Sequence, residues 1–244
     1  MGPAPRVDAY EWRGGREAML RWGPEDGPVV VLAPPLFEEA NRTRAFAASI
    51  CRMLAGLGVG SILPDLPGQG ESLTPTRSAT LPDLRAAFAA VPSDNAVAIR
   101  SGALLVGGAR PCWRLAPQTG PDLLRELTRI KGAPLAGKRV EVAGNLLSRA
   151  LFDDLAASTH PGEGRGPVAT QSDERKAFQG SPLLGPGLRR GGVDRTVRLA
   201  SDPAAADRKV DGAPLWRRAE PGNDPALAQV LAADIAEWIA ICEG

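Results

Sequence analysis

The sequence predicts an α/β fold built on a mostly parallel sheet with helices on both faces. Short apolar segments alternate with helical patterns from Val29 onward, which is the order expected of strand–helix–strand units. The segment Val29–Ala33 is continuously apolar and rich in valine, as in strands covered on both faces. The chain has 244 residues, of which 43% are apolar, and this is enough for one large domain with its own core.

The first half is expected to open with a β-hairpin over residues 8–22, because two strand-like segments flank a Gly-containing turn at 13–15. Strands and helices then alternate, with apolar residues at helical spacing in each predicted helix. After Val29–Ala33 the expected elements are a loop at 34–39, a helix at about 42–57, a strand at 61–63, a helix at 83–91, a strand at 96–99, a helix at 103–109 and a strand at 112–115.

The pattern changes after residue 117. Helices are expected at 121–131 and 147–157 around a β-branched patch at 139–143, and residues 158–192 are dominated by Gly, Pro, Ser and charge. That last stretch is too polar to form a core and is expected to lie over the surface or move. We therefore expect a single domain over residues 1–244 in which residues 118–192 form an inserted helical cap with a flexible Gly/Pro-rich segment. The last elements are expected to be strands at 195–200 and 213–217 and an amphipathic helix at 225–242.

Composition excludes several functional classes. Lys plus Arg number 29 and Asp plus Glu 28, so net charge gives no reason to expect nucleic-acid binding. The longest apolar run, residues 28–37, is too short to span a bilayer, and acidic Asp8 and Glu11 argue against a signal peptide. Three cysteines without CxxC spacing suit a reducing cytoplasm, where we expect the protein to reside. No cofactor or metal is expected.

Residues 98–102, Ala-Ile-Arg-Ser-Gly, have the pattern of a nucleophile elbow with arginine in the central position. A short apolar strand precedes Arg100, a helical pattern follows it, and small residues stand two positions away on either side. This is the context in which a hydrolase nucleophile is exposed. Because the guanidinium stays protonated at any working pH, Arg100 cannot be the nucleophile.

The segments DLPGQGES (residues 65–72) and AIRSG make the chain resemble the α/β-hydrolase fold over nearly its whole length. A narrower resemblance rests on PPLFEEANRTR, AIRSGALL, VEVAGNLLSRAL and GAPLWRRAEPGNDP, which are similar to bacterial exosortase A system-associated hydrolases. That resemblance implies a role linked to exopolysaccharide, with protein partners from such a system. It implies no substrate, since function is a property of the site rather than of the fold.

A serine hydrolase of this fold needs a histidine after the last strand and an acid after the strand before it. The expected histidine position, residues 220–224, contains none, and His160 is the one histidine in the chain. Asp202 stands where the acid belongs. Ser101 lies one residue past the apex, where a helix-capping or packing role is expected. Ser101, Asp202 and His160 are the candidate catalytic residues. We expect that ordinary triad chemistry is lost, with a slow or unconventional esterase or thioesterase as the alternative.

Arg100 itself has two candidate roles. A cation at a helix start is unfavourable and, if buried, needs an anion nearby, which Glu38 or Glu39 on the preceding loop could supply. These glutamates also suit the start of the following helix. Alternatively, Arg100 faces an open cleft and binds an anionic small molecule, such as an acidic sugar, an acyl carboxylate or a phosphorylated lipid carrier. Glu38, Glu39 and Arg100 are thus the candidate ligand-binding residues. A purely structural scaffold would require a filled pocket.

Overall fold

The computed structural model describes residues 4–108, 110–129, 139–142, 145–159 and 193–243. The strands are β1 Arg6–Trp12, β2 Gly15–Trp22, β3 Val29–Ala33, β4 Gly60–Pro64, β5 Asn95–Ile99, β6 Cys112–Leu115, β7 Arg139–Val142, β8 Asn145–Ser148, β9 Arg195–Leu199 and β10 Arg208–Val210. The helices are α1 Glu38–Gly56, α2 Leu81–Ala90, α3 Gly120–Arg129, α4 Arg149–Ala157 and α5 Pro225–Glu243. Short 3-10 turns occur at Thr76–Ser78, Arg100–Leu104 and Leu215–Arg217.

Within the described residues, eight strands form one sheet in the order β1-β2-β4-β3-β5-β6-β9-β10. Strand β2 runs antiparallel to β1 and β4, and the remaining neighbours are parallel. This arrangement confirms the predicted mostly parallel, α/β-hydrolase-like sheet. Strands β7 and β8, which follow β6 and precede β9 in the sequence, form a separate antiparallel pair.

Alternation along the strands divides the core between the two faces of the sheet. In β3, Val31 packs with helices α2 to α4, whereas Val30 and Leu32 pack with α1 and α5. This follows from the two-residue side-chain period of a strand. Because both faces of β3 are covered, apolar residues occupy every position of the strand rather than alternate ones.

Helix α5 has the length and apolar composition of a segment that could cross a membrane. Its Leu231, Ile235 and Trp238 side chains are buried in the core cluster that also contains Trp113 of β6. A helix packed in a protein core can be equally long and apolar, so this packing accounts for the apolar face of α5.

Two predicted helix starts and one predicted helix, in the first half and the insertion, are wrong. Helix α1 begins at Glu38 rather than near residue 42, because Glu38 and Glu39 interact favourably with the positive end of the helix dipole. The helix expected at 103–109 is absent from the described residues 103–108, where the 3-10 turn ends at Leu104 before two glycines. The helix expected from residue 147 begins at Arg149, because Ser148 closes β8 and its hydroxyl caps the helix by accepting from Leu151 N.

The position predicted for the last strand, residues 213–217, is also wrong. Residues 213–217 are not a strand: Pro214 lacks the N–H that a ladder needs, and Leu215–Arg217 form a 3-10 turn. The edge strand is instead Arg208–Val210, which pairs with β9. The single-domain and cap boundaries stay predictions, and residues 160–192, including most of the predicted flexible segment, lie outside the described residues.

Candidate functional site

The turn after β5 has the backbone conformation of a nucleophile elbow. Arg100 has φ 55°, a left-handed conformation that a residue with a long side chain adopts only when its surroundings hold it there. Gly102 follows because a Cβ at this position would lie 2.2 Å from the Ala33 carbonyl oxygen. The turn therefore packs directly against the end of β3, and this close approach explains the glycine two residues after the apex.

The Arg100 side chain is held by two carboxylates and a tryptophan ring. Its Nε donates to Glu39 Oε2 at 3.3 Å, and its Nη2 donates to Glu39 Oε1 at 3.2 Å and to Glu126 Oε1 and Oε2 at 2.9 and 3.0 Å. The guanidinium carbon lies 5.0 Å from the centre of a Trp216 ring, within range for a cation–π contact. Only 10% of the Arg100 side chain is exposed. We call Arg100, Glu39, Glu126 and Trp216 the arginine cluster.

The structure thus contains the hypothesised ion pair with Glu39, whereas the bonds of Arg100 within the described residues do not include Glu38. Sequence reasoning missed Glu126 and Trp216. The signal for Glu126 was present but weak: it stands between Leu123 and Leu127 of α3, at helical spacing, and so flanks the buried face of that helix. Trp216 follows the last strand, on the segment where the fold would place its histidine.

Burial raises the pKa of Glu39 to about 7, although the Arg100 charge acts in the opposite direction. Burial also acts to raise the pKa of Glu126, but the charge of Arg100 and the hydrogen bonds to this carboxyl outweigh it, so that pKa lies below its usual value. The longer bonds from Arg100 to Glu39 agree with this difference between the two carboxyls. Near neutral pH the cluster therefore contains one guanidinium, one carboxylate and one carboxyl that holds its proton part of the time.

The backbone donors that the loop after β3 would contribute to an oxyanion hole are already engaged. In this fold one donor comes from the loop after β3. Here Leu36 N donates to Ser101 Oγ at 2.9 Å, and Phe37 N donates to Gln69 Oε1 at 2.8 Å. Gln69 belongs to the DLPGQGES segment, whose role in this chain includes holding that loop. A substrate carbonyl oxygen would find both of these N–H groups occupied.

The bonds of Ser101 and Asp202, the two candidate catalytic residues that the structure describes, do not involve the arginine cluster. Ser101 is fully buried behind the elbow, and its hydroxyl accepts the Leu36 N–H. Asp202 follows β9 as expected but accepts from Arg198 Nη1 at 2.7 Å. It lines, together with Arg100 and Trp216, a cavity of about 200 Å³. Because the last strand ends at Val210, the position for a histidine moves to the following residues 211–217, which contain none. His160 lies outside the described residues.

A larger cleft of about 450 Å³ lies over the partners of Arg100. Its lining combines apolar, basic and acidic side chains: Leu36, Glu38, Glu39, Arg42, Leu123, Glu126, Leu127, Arg129, Trp216 and Arg217. The predicted ligand-binding residues Glu38 and Glu39 both line it. Over the described parts of the chain, no group of three or more His, Cys, Asp or Glu side chains is placed to hold a metal ion.

Comparison with solved structures returns proteins of the α/β-hydrolase fold. A candidate hydrolase from Agrobacterium vitis S4 is 17% identical, with a TM-score of 0.45 over 63% of this chain and 71% of that one. Est1E from Butyrivibrio proteoclasticus, solved with ferulic acid, is 14% identical, with a TM-score of 0.44 over 62% and 70%. Epoxide hydrolase A from Mycobacterium thermoresistibile is 24% identical, with a TM-score of 0.37 over 46% of this chain.

The chain spans only 39% of the length of that epoxide hydrolase. No family model matches the chain, and no curated protein matches it. The strand order and the elbow nevertheless define the class: the chain has the α/β-hydrolase fold.

Proposed function

We propose that this α/β-hydrolase-fold protein has lost serine-hydrolase chemistry and acts by binding a small ligand in the cleft beside Arg100. The observation that carries the proposal is the arginine cluster: a guanidinium occupies the nucleophile's position and is bonded to Glu39 and Glu126. Loss of the serine or histidine of a triad lowers turnover by roughly a millionfold. Occupation of the Leu36 and Phe37 N–H groups removes donors that could sustain residual catalysis.

The lining of the cleft supports an anionic ligand with an apolar part, such as an acyl carboxylate, or an acidic sugar. Leu123, Leu127 and Trp216 supply an apolar wall, and Arg42, Arg129 and Arg217 supply guanidinium groups able to pair with a carboxylate or phosphate. The proposed binding role is in the cytoplasm, which the cysteine usage supports, and beside the proteins of an exopolysaccharide system, which the sequence resemblance to exosortase A system-associated hydrolases supports.

Loss of hydrolysis is tested with p-nitrophenyl esters of acetate, butyrate and octanoate. We expect wild-type protein, Ser101→Ala and His160→Ala to release p-nitrophenol at the same rate as buffer, because the lining of the cleft within the described residues includes no serine, threonine or histidine. Circular dichroism checks that each variant is folded, which matters for Ser101→Ala because it removes the acceptor for Leu36 N. Turnover that disappears in either variant would instead establish the unconventional esterase or thioesterase and overturn the proposal.

Binding is tested on the same protein by thermal shift with octanoate, and with octanol as the uncharged control. We expect octanoate to raise the melting temperature and octanol to raise it less. The shift should shrink in Arg129→Met/Arg217→Met, which removes two guanidinium groups from the cleft. Equal shifts in wild type and the double variant would reject this cleft as the binding site.

A further inference from the structure

The arginine cluster places two carboxyl groups beside one guanidinium. Glu39 and Glu126 both accept from Nη2 of Arg100, at 3.2 and 2.9 Å. Only 10% of the Glu39 side chain is exposed, whereas 40% of the Glu126 side chain is exposed. If both carboxyls were ionised, one negative charge would lack a partner, and a buried carboxyl without its own cation is more stable when protonated. Glu39 is the more buried of the two, and therefore the one expected to hold the proton.

Glu39 also borders the place where an anionic ligand would bind. It lines the cleft of about 450 Å³ together with Arg42, which stands three residues later on α1 and so on the same side of that helix. Nη1 of Arg42 donates to the Trp216 carbonyl at 3.4 Å, which holds this guanidinium at the cleft. Arg42 and Arg217 both line the cleft, and neither forms an ion pair with another described residue. A ligand anion that pairs with these two guanidinium groups therefore shares the cleft with the Glu39 carboxyl.

The charged groups that bond to Glu39 or share the cleft with it come from four elements. They are Glu38 and Arg42 of α1, Arg100 of the elbow, Glu126 and Arg129 of α3, and Arg217 of the turn after β10. Burial has the largest effect on the pKa of Glu39 and raises it, the charge of Arg100 lowers it, and Glu126 raises it, with the result at about 7. A ligand anion adds a further negative charge to these surroundings, and its repulsion favours the protonated form of Glu39.

We infer that the cleft binds its anionic ligand together with a proton, which Glu39 takes up from solvent. This inference rests on the proposed function, because it takes the ligand of the cleft to be an anion, and it adds how binding there depends on pH. By linkage, a ligand that strengthens proton binding at Glu39 is itself bound more strongly, by the same factor, when Glu39 is protonated. The affinity for the ligand is therefore highest at low pH and falls as the pH rises through the range in which Glu39 loses its proton.

The test is isothermal titration of the full chain with octanoate at pH 6.5, 7.5 and 8.5, with octanol as the uncharged probe. Octanoate is ionised throughout this range, so a change in affinity reports on the protein. If the anion strengthens proton binding at Glu39 about tenfold, octanoate should bind about sixfold more weakly at pH 8.5 than at pH 6.5. Titrations at pH 7.5 in Tris and in MOPS, two buffers with different ionisation enthalpies, should show uptake of about half a proton per octanoate bound. Octanol should cause no proton uptake.

Glu39→Gln is the most informative variant, because glutamine has the size of the protonated carboxyl and cannot ionise. It should bind octanoate with the same affinity at all three pH values and without proton uptake. At pH 8.5 it should bind octanoate more tightly than the wild-type protein does, a gain that a misfolded variant would not show. Glu38→Gln is the matched control, because it removes a carboxylate that lines the same cleft but takes no part in the bonds of Arg100. Proton uptake should persist in this control.

The possible failures are distinguishable. Octanoate binding that is independent of pH and transfers no proton would overturn this inference and leave the binding role of the cleft intact. Proton uptake that persists in Glu39→Gln, or that octanol also causes, would overturn it in the same way. Absence of octanoate binding at every pH would overturn the proposed ligand class and this inference with it.

Discussion

Replacement of Arg100 by methionine is expected to lower the free energy of unfolding by about 3 kcal/mol. Methionine keeps an apolar stem against Trp216 but leaves Glu39 and Glu126 without their cation. Breaking a buried ion pair in this way leaves an uncompensated charge. The expected cost is at the lower end of the range for buried pairs, because 40% of the Glu126 side chain is exposed and Glu39 can take up a proton.

Urea denaturation at pH 7 measures this loss. The triple variant Arg100→Met/Glu39→Gln/Glu126→Gln removes all three charges together and should recover most of the lost stability. Arg125→Met is the control, since Arg125 is 63% exposed and pairs with Asp122 one turn away, and a change within about 0.5 kcal/mol is expected there. If Arg100→Met were as stable as Arg125→Met, the arginine cluster would not be a buried ionic interaction.

The second large effect is on the pH dependence of stability. Burial raises the pKa of Glu39 from 4.5 to about 7 in the folded protein, so between these values the folded state binds more protons than the unfolded chain. The contribution of Glu39 is therefore fully present below about pH 4.5 and is lost as the pH rises through 7. Across pH 5 to 8 the wild type should lose on the order of 2–3 kcal/mol relative to a variant that cannot titrate.

Glu39→Gln is that variant, and Glu38→Gln is the control because Glu38 is the adjacent residue on the same helix turn. Urea unfolding at pH 5, 6, 7 and 8 should give a smaller slope of stability against pH for Glu39→Gln than for the other two proteins. The lowered pKa of Glu126 acts in the opposite sense and below this window, since its contribution is lost only as the pH falls. Identical slopes in wild type and Glu39→Gln would show that Glu39 titrates normally.

Part of the fold could be predicted because the central strand β3 is a continuous apolar run. Val29–Ala33 has the bounds expected from that run, and Cys112–Leu115 also has the predicted bounds although Arg114 interrupts its apolar residues. The edge strand Arg208–Val210 could not be found in this way, because it is three residues long and two of them are charged. Its misplacement also moved the expected histidine position along the chain, to residues 220–224 instead of the segment that contains Trp216.

The candidate site was predictable only in part, for a similar reason. The need of Arg100 for an anion follows from burial and charge, and Glu39 lies on the loop that must border the elbow. Glu126 and Trp216 come from α3 and from the turn after β10, so only the folded sheet brings them to Arg100. The engagement of the loop N–H groups by Ser101 and Gln69 likewise depends on contacts between distant segments.

The central claim is that a guanidinium bonded to buried carboxylates fills the place of a nucleophile. A double-mutant cycle between Arg100→Met and Glu39→Gln, measured by urea denaturation at pH 8, tests this most directly, since Glu39 is mostly ionised there. We expect a coupling energy of about 1.5 kcal/mol or more, because the two residues share hydrogen bonds at 3.2 and 3.3 Å. Additive effects, within about 0.5 kcal/mol, would mean that the two residues do not interact and would contradict the claim.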